Sequence, residues 1–204
     1  MDSLKQMQAK ALNTSKAGTV NPKELLQLEL LTSFEKYTKA MFKAQYHRSF
    51  IVAEHHKKMF QALQDVVDGK CKRLIINIAP RYGKTELVIK SFISWCFALN
   101  PKCRFLHLSY SDILVNDNSE TIRNIMQEEL YRTLFPNSAL ASEKGSAKRW
   151  KTKAGGELYA VSTQGQVTGF GAGNVDIEID KLDGGNDIFT FDDHTNEVLD
   201  MIGA

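Results

Sequence analysis

Apolar side chains recur at three- and four-residue spacing early in the chain and give way to short β-branched runs in the middle. Leu25, Leu28, Leu31, Phe34, Tyr37 and Met41 share one helical face. Asn21 can cap, Pro22 suits the first helical position and Glu24 can reach back, so the pattern predicts a helix from Asn21 that docks on the rest of the fold. Glu54 to Asp68 fits a second helix, stopped by Gly69. Leu74-Ile75-Ile76-Asn77-Ile78 predicts a strand buried on both faces. Gly83 to Leu99 then reads as a helix ended by Asn100-Pro101, and Phe105 to Leu108 as a second strand. Ser111 or Asp112 can cap a helix carrying Ile122, Ile125, Met126, Leu130 and Leu134, ended by Pro136. Leu158 to Val161 and Ile188 to Phe191 are later strand candidates. Strand, helix, strand, helix predicts an α/β fold with a parallel sheet flanked by helices. Residues 1–20 carry no sustained period and read as a disordered leader.

Length and composition narrow the class. At 204 residues the chain suits one domain with an appendage, and 43% hydrophobic with 25% charged residues is the balance of a globular protein, not a disordered one. The longest apolar run, Phe92 to Leu99, is too short to span a bilayer, and Met1-Asp2 opens no signal peptide, so a cytoplasmic protein without a membrane partner is expected. Cys71, Cys96 and Cys103 form neither a disulfide framework nor a zinc-ligand pattern. The net charge of +2 hides a segregation: +6 over residues 1–80, +4 over 81–160 and −8 over 161–204.

The sharpest chemistry lies between the first strand and its helix, in Ile78-Ala79-Pro80-Arg81-Tyr82-Gly83-Lys84-Thr85. A phosphate site needs backbone N–H groups at a helix N-terminus, a lysine for the outer phosphates and a hydroxyl for Mg²⁺. Gly83, Lys84 and Thr85 occupy those roles, with Pro80, Arg81, Tyr82 and Glu86 around them, so the loop resembles a Walker A motif and predicts ATP with Mg²⁺ as cofactors. It is a variant, because the usual glycine five residues before Gly83 is Ile78. The chemistry also needs carboxylates at a neighbouring strand end. Ile188 to Asp193 supplies an apolar run ending in two acids, with Asp192 for the metal and Asp193 for the attacking water; a solvated acidic tail is the alternative, and Asp180 and Asp183 are weaker candidates.

Several segments together resemble the large terminase subunit of tailed bacteriophages: Arg73 to Glu86, Trp95 to Ala98, Phe105 to Asp112, and Ser162 to Gly173. The likeness extends over about residues 24 to 176. It implies a P-loop NTPase fold, ATP hydrolysis coupled to translocation of double-stranded DNA, a portal and a small terminase subunit as partners, a possible homo-oligomer, and the bacterial host cytoplasm. The family pairs this ATPase with a C-terminal nuclease. Here the spacing from Ile177 to Asp187 departs from the family, His194 stands where a proline is usual, and the chain stops at Ala204. The expectation is therefore an ATPase portion incomplete at its C-terminus, from a truncated or decayed prophage gene, without nuclease activity. Its parts would be a leader and helical segment (1–53), a partial P-loop ATPase domain (54–193) and a tail (194–204).

The resemblance also implies adenine contacts upstream of the loop, where Phe50, His55 and His56 lie, with surface histidines on an amphipathic helix as the plainer reading. Arg81 can act as a charge stabiliser at the γ-phosphate or stay a solvated loop arginine. Lys144, Lys148, Arg149, Trp150, Lys151 and Lys153 suit DNA phosphates and base stacking, or a solvated loop. Gln164 to Gly173 suits a sensing or DNA-facing loop. Two other functions compete: a non-catalytic terminase remnant that binds nucleotide or partners, and a helicase-like P-loop ATPase unrelated to packaging.

Overall fold

The computed structural model describes residues 21–142 and 145–162, together with the backbone of strands 180–182, 186–190 and 196–200. The leader, Lys144, the Gln164 to Gly173 stretch, Asp183, Asp192, Asp193 and the tail from residue 201 lie outside the described residues.

The predicted first helix is two. α1 (Pro22–Thr32) is capped by Asn21, whose side chain accepts from the Lys23 N–H, and the chain turns at Ser33 before α2 (Phe34–Tyr46). Ser33 breaks the helix because its extended backbone lets its hydroxyl accept the Lys36 N–H and cap the new start. The bend changes which residues are covered: Leu30, Leu31, Phe34, Tyr37 and Met41 are buried, while Leu25 is 55% exposed. α3 (Glu54–Val67) matches its pattern and stops at Gly69, whose φ of +75° suits glycine.

β1 (Arg73–Asn77) buries Leu74 and Ile76, but Arg73, Ile75 and Asn77 are only half-covered, so one face is packed where two were expected. Past the loop, π-helical turns (Thr85–Ser91) run into α4 (Phe92–Leu99) without a break, since Phe92 and Ser91 both keep helical backbone angles. This continuous loop helix is the centre of the core. Every residue from Leu87 to Phe97 except Lys90 is buried. Trp95 Nε1–H donates to the Leu30 carbonyl at 2.9 Å, Tyr37 O–H donates to Ser94 Oγ at 2.9 Å, and Tyr131 O–H donates to the Ser94 carbonyl at 3.0 Å. Apolar burial thus holds the helix, and three directed bonds fix its rotation against its neighbours.

β2 (Arg104–Ser109) leads to α5 (Asp112–Gln127), capped by the Ser111 hydroxyl, which accepts from the Leu114 N–H. A break at Glu128 separates α6 (Glu129–Leu134), again dividing one expected helix into two. β3 (Arg149–Lys151) and β4 (Glu157–Ser162) complete a three-stranded sheet in the order β2-β4-β3. A second sheet has the order β5-β6-β1-β7, from β5 (Asp180–Leu182), β6 (Asn186–Thr190) and β7 (Asn196–Asp200).

The fold is therefore mixed α/β, and the expectation of a parallel sheet is corrected. β2–β4 and β1–β7 pair parallel, whereas β3–β4, β5–β6 and β1–β6 pair antiparallel. Long helical connections return a strand in the same direction; short turns such as the one between Lys151 and Glu157 return it reversed.

Candidate functional site

The loop leaves β1 at Asn77, and Ile78 is still buried where the strict motif would have glycine. Ala79 to Tyr82 are exposed. Arg81 has φ +70° and Gly83 φ +78°, so two left-handed residues on either side of Tyr82 reverse the chain into the helix. For glycine this costs little; for Arg81 the left-handed conformation costs about 1–2 kcal/mol. The first helical bond runs from the Leu87 N–H to the Gly83 carbonyl at 3.0 Å, and the Lys84 side chain does not cap the helix start. Lys84 and Thr85 stand where the positive end of the helix dipole meets solvent, Thr85 exposed and Lys84 half-buried.

This arrangement fits a polyphosphate: a helix start embedded in the core, a lysine beside it, and an exposed hydroxyl. Thr85 is the described residue that suits Mg²⁺. Asp192 and Asp193 lie outside the described residues, but the strand before them runs antiparallel to β1 and sets Thr190 opposite Arg73, at the end of β1 away from the loop. The strand running parallel to β1 is β7, with Asp200 across from Asn77. Asp180 begins β5 and pairs with Ile188.

Glu86 turns from the loop into the protein. Its carboxylate takes the Lys90 ammonium at 3.1 Å, and it faces the Tyr46 hydroxyl, which burial and the carboxylate's charge push up to about 12. The helix that follows the loop is thereby tied to the end of α2. Sequence reading assigns Glu86 to the loop and misses this link, because Tyr46 is distant in the chain.

The two histidines sit on the first turn of α3, under the loop. His56 Nδ1 accepts the Ala53 N–H at 3.0 Å, and its Nε2 lies 3.1 Å from the Tyr82 carbonyl. The His55 ring meets the Tyr82 ring edge-on at 5.2 Å. Phe50 packs against Phe42, His56 and Phe60 and is half-buried.

The basic segment differs from its sequence reading. Trp150 is buried, donates its indole N–H to Ser119 Oγ at 2.9 Å and packs on Phe97, so it offers no face for base stacking. Arg149 is paired with Glu157, which also holds Arg104 at 3.2 Å. Burial pushes the Glu157 carboxyl up, but Arg149, the Lys151 charge and Arg104 more than offset it and leave it below the ordinary range. Lys148, Lys151 and Lys153 remain exposed at the sheet edge.

One buried titratable group carries a pH prediction. His107 lies in β2 with Nδ1 unpartnered, and burial lowers its pKa from 6.5 to about 4. The unfolded chain therefore binds the extra proton between those values and the folded chain does not. Stability is full above pH about 6.5 and declines as pH falls toward about 4, with a slope from this group of at most about 1.4 kcal/mol per pH unit. Urea titrations of wild type and His107→Leu across this window should show a flatter profile for the variant; parallel profiles would remove His107 as the cause.

Among the described residues, no helix is long and apolar enough to cross a membrane. Compared with known proteins, the chain matches no family model and no curated protein.

Proposed function

We propose that this chain is the ATP-binding portion of a phage DNA-packaging terminase large subunit, acting in the host cytoplasm. One observation carries the reading: the strand–turn–helix at Ile78 to Thr85, with left-handed residues at Arg81 and Gly83, sets Lys84 and Thr85 at the start of a helix buried in the core. The terminase-like segments around it supply the rest. In this reading the N–H groups at the helix start and the Lys84 ammonium bind the β- and γ-phosphates and Thr85 would hold Mg²⁺; the register of β6, which sets Thr190 at the end of β1 away from the loop, gives no support to Asp192 as a second ligand. The metal neutralises charge on the transferring phosphoryl group when bound. Arg81 is exposed on the loop and suits the γ-phosphate, whereas the direction of β6 gives no support to Asp193 as the residue that orients water. Double-stranded DNA, a portal, a small subunit and further copies of this chain are the proposed partners.

Hydrolysis is proposed to be slow. Binding needs mainly the loop, whereas turnover needs the water-positioning acid and the transition-state cation in register, and an error of about 1 Å costs roughly a hundredfold in rate. Steady-state phosphate release with and without double-stranded DNA tests this. Slow release lost in Lys84→Ala supports the proposal; release equal in wild type and Lys84→Ala overturns it, and fast DNA-stimulated release overturns the slow-turnover part alone.

A further inference from the structure

We propose that His56 is a positioning residue for the phosphate loop, holding the Tyr82–Gly83 turn in its binding shape from below. The inference rests on the phosphate-loop reading and replaces base contact by His56 with a role in the turn itself. The imidazole makes two bonds of opposite sense. The Ala53 N–H requires an acceptor at Nδ1, and the Tyr82 carbonyl requires a donor at Nε2, so only the neutral ring protonated at Nε2 satisfies both. Burial and the neighbouring His55 lower the pKa of His56 and favour that neutral form, against the opposing pull of the Tyr82 and Ile51 backbone.

The carbonyl that receives this bond belongs to the residue between Arg81 and Gly83, the two left-handed positions. A conformation unfavourable for arginine is thus pinned at its midpoint. The pin is firm because α3 buries Met59, Phe60, Ala62 and Leu63 in the core, and Phe50 packs against the imidazole at 5.1 Å. Gly83 is part of the same fit: a Cβ there would lie 3.0 Å from His56 Nε2, so the imidazole occupies the space that glycine leaves. Helix α3 and the phosphate loop are separated in sequence by β1, and His56 supplies the hydrogen bond between them beside the ring contact of His55 with Tyr82.

The test separates positioning from base recognition by using ligands with and without the base. His56→Asn keeps an acceptor near Ala53 but is too short to reach Tyr82; His56→Gln is long enough to donate to the Tyr82 carbonyl. ATP, GTP and inorganic tripolyphosphate, each with Mg²⁺, are titrated calorimetrically into the full chain and both variants. His56→Asn should weaken all three ligands by a similar factor, roughly five- to tenfold for one lost bond, with His56→Gln closer to wild type. In the nucleotide-free wild type, ring ¹⁵N shifts should show an unprotonated Nδ1 and a protonated Nε2 at neutral pH. Loss for ATP alone, no loss in His56→Asn, equal loss in both variants, or the opposite tautomer overturns the inference while leaving the loop reading intact. A wild type that binds neither ATP nor tripolyphosphate overturns the loop reading and this inference with it.

Discussion

Lys84→Ala is expected to weaken ATP·Mg²⁺ binding by one to two orders of magnitude while leaving the fold unchanged. Lys84 is half-buried at the start of a helix whose following turns are inside the core, so its backbone position is set by packing and survives the truncation. In the proposed reading, what is removed is a charge-assisted bond to the outer phosphates. Hydrogen bonds to charged groups are worth about 1.5–3 kcal/mol, and each 1.4 kcal/mol is tenfold in affinity, which gives a loss of roughly ten- to a hundredfold. Lys84→Arg should recover part of it, since the charge returns in a planar, forked form that does not match a point contact. Calorimetric titration measures the effect, and equal affinity in wild type and Lys84→Ala would contradict the assignment of this loop.

The second large effect is on stability. Trp95 is fully buried, its ring lies 5.1 Å from Phe34 and 6.4 Å from Phe92, and its indole N–H satisfies the Leu30 carbonyl. Trp95→Ala opens a cavity where α1, α2 and the loop helix meet and leaves that carbonyl without its donor. Truncations of this kind cost about 3–5 kcal/mol, a large share of the roughly 5–15 kcal/mol that holds an ordinary domain together. Thermal unfolding should fall by on the order of 10 °C. Saturating ATP·Mg²⁺ should recover part of the loss, because a ligand that binds only the folded chain stabilises it by mass action. A change below about 1 kcal/mol would mean that these helices do not meet around Trp95.

The turn after β1 and the helix that follows it were legible in the sequence because their signals are local. A β-branched run, Gly-Lys-Thr and a long apolar stretch lie consecutively between Leu74 and Leu99, and Gly69 after α3 and Ser111 before α5 mark the ends of neighbouring helices by chemistry that acts within a few residues. The breaks at Ser33 and Glu128 were not legible, since apolar spacing continues across both and only the backbone geometry shows the turn. Trp150 shows a different limit. Its neighbours Arg149 and Lys151 are exposed, and alternation along a short edge strand sends the aromatic inward between them. β3 was missed altogether, because its three residues lie in the basic segment read as a DNA contact or a solvated loop, and its antiparallel pairing with β4 follows from the turn between them. The bond from His56 to Tyr82 crosses 26 residues of chain, and its sequence trace is faint: a histidine at the third position of a helix whose cap position, Ala53, has no capping side chain.

The most direct measurement is amide NMR of the ¹⁵N-labelled chain titrated with ATP·Mg²⁺. Phosphates seated on this loop should shift the Gly83, Lys84 and Thr85 amides first and most, at one common affinity, and the same amides should move with inorganic tripolyphosphate. Saturable shifts centred on another part of the chain, with these three amides still, would contradict the phosphate-loop reading.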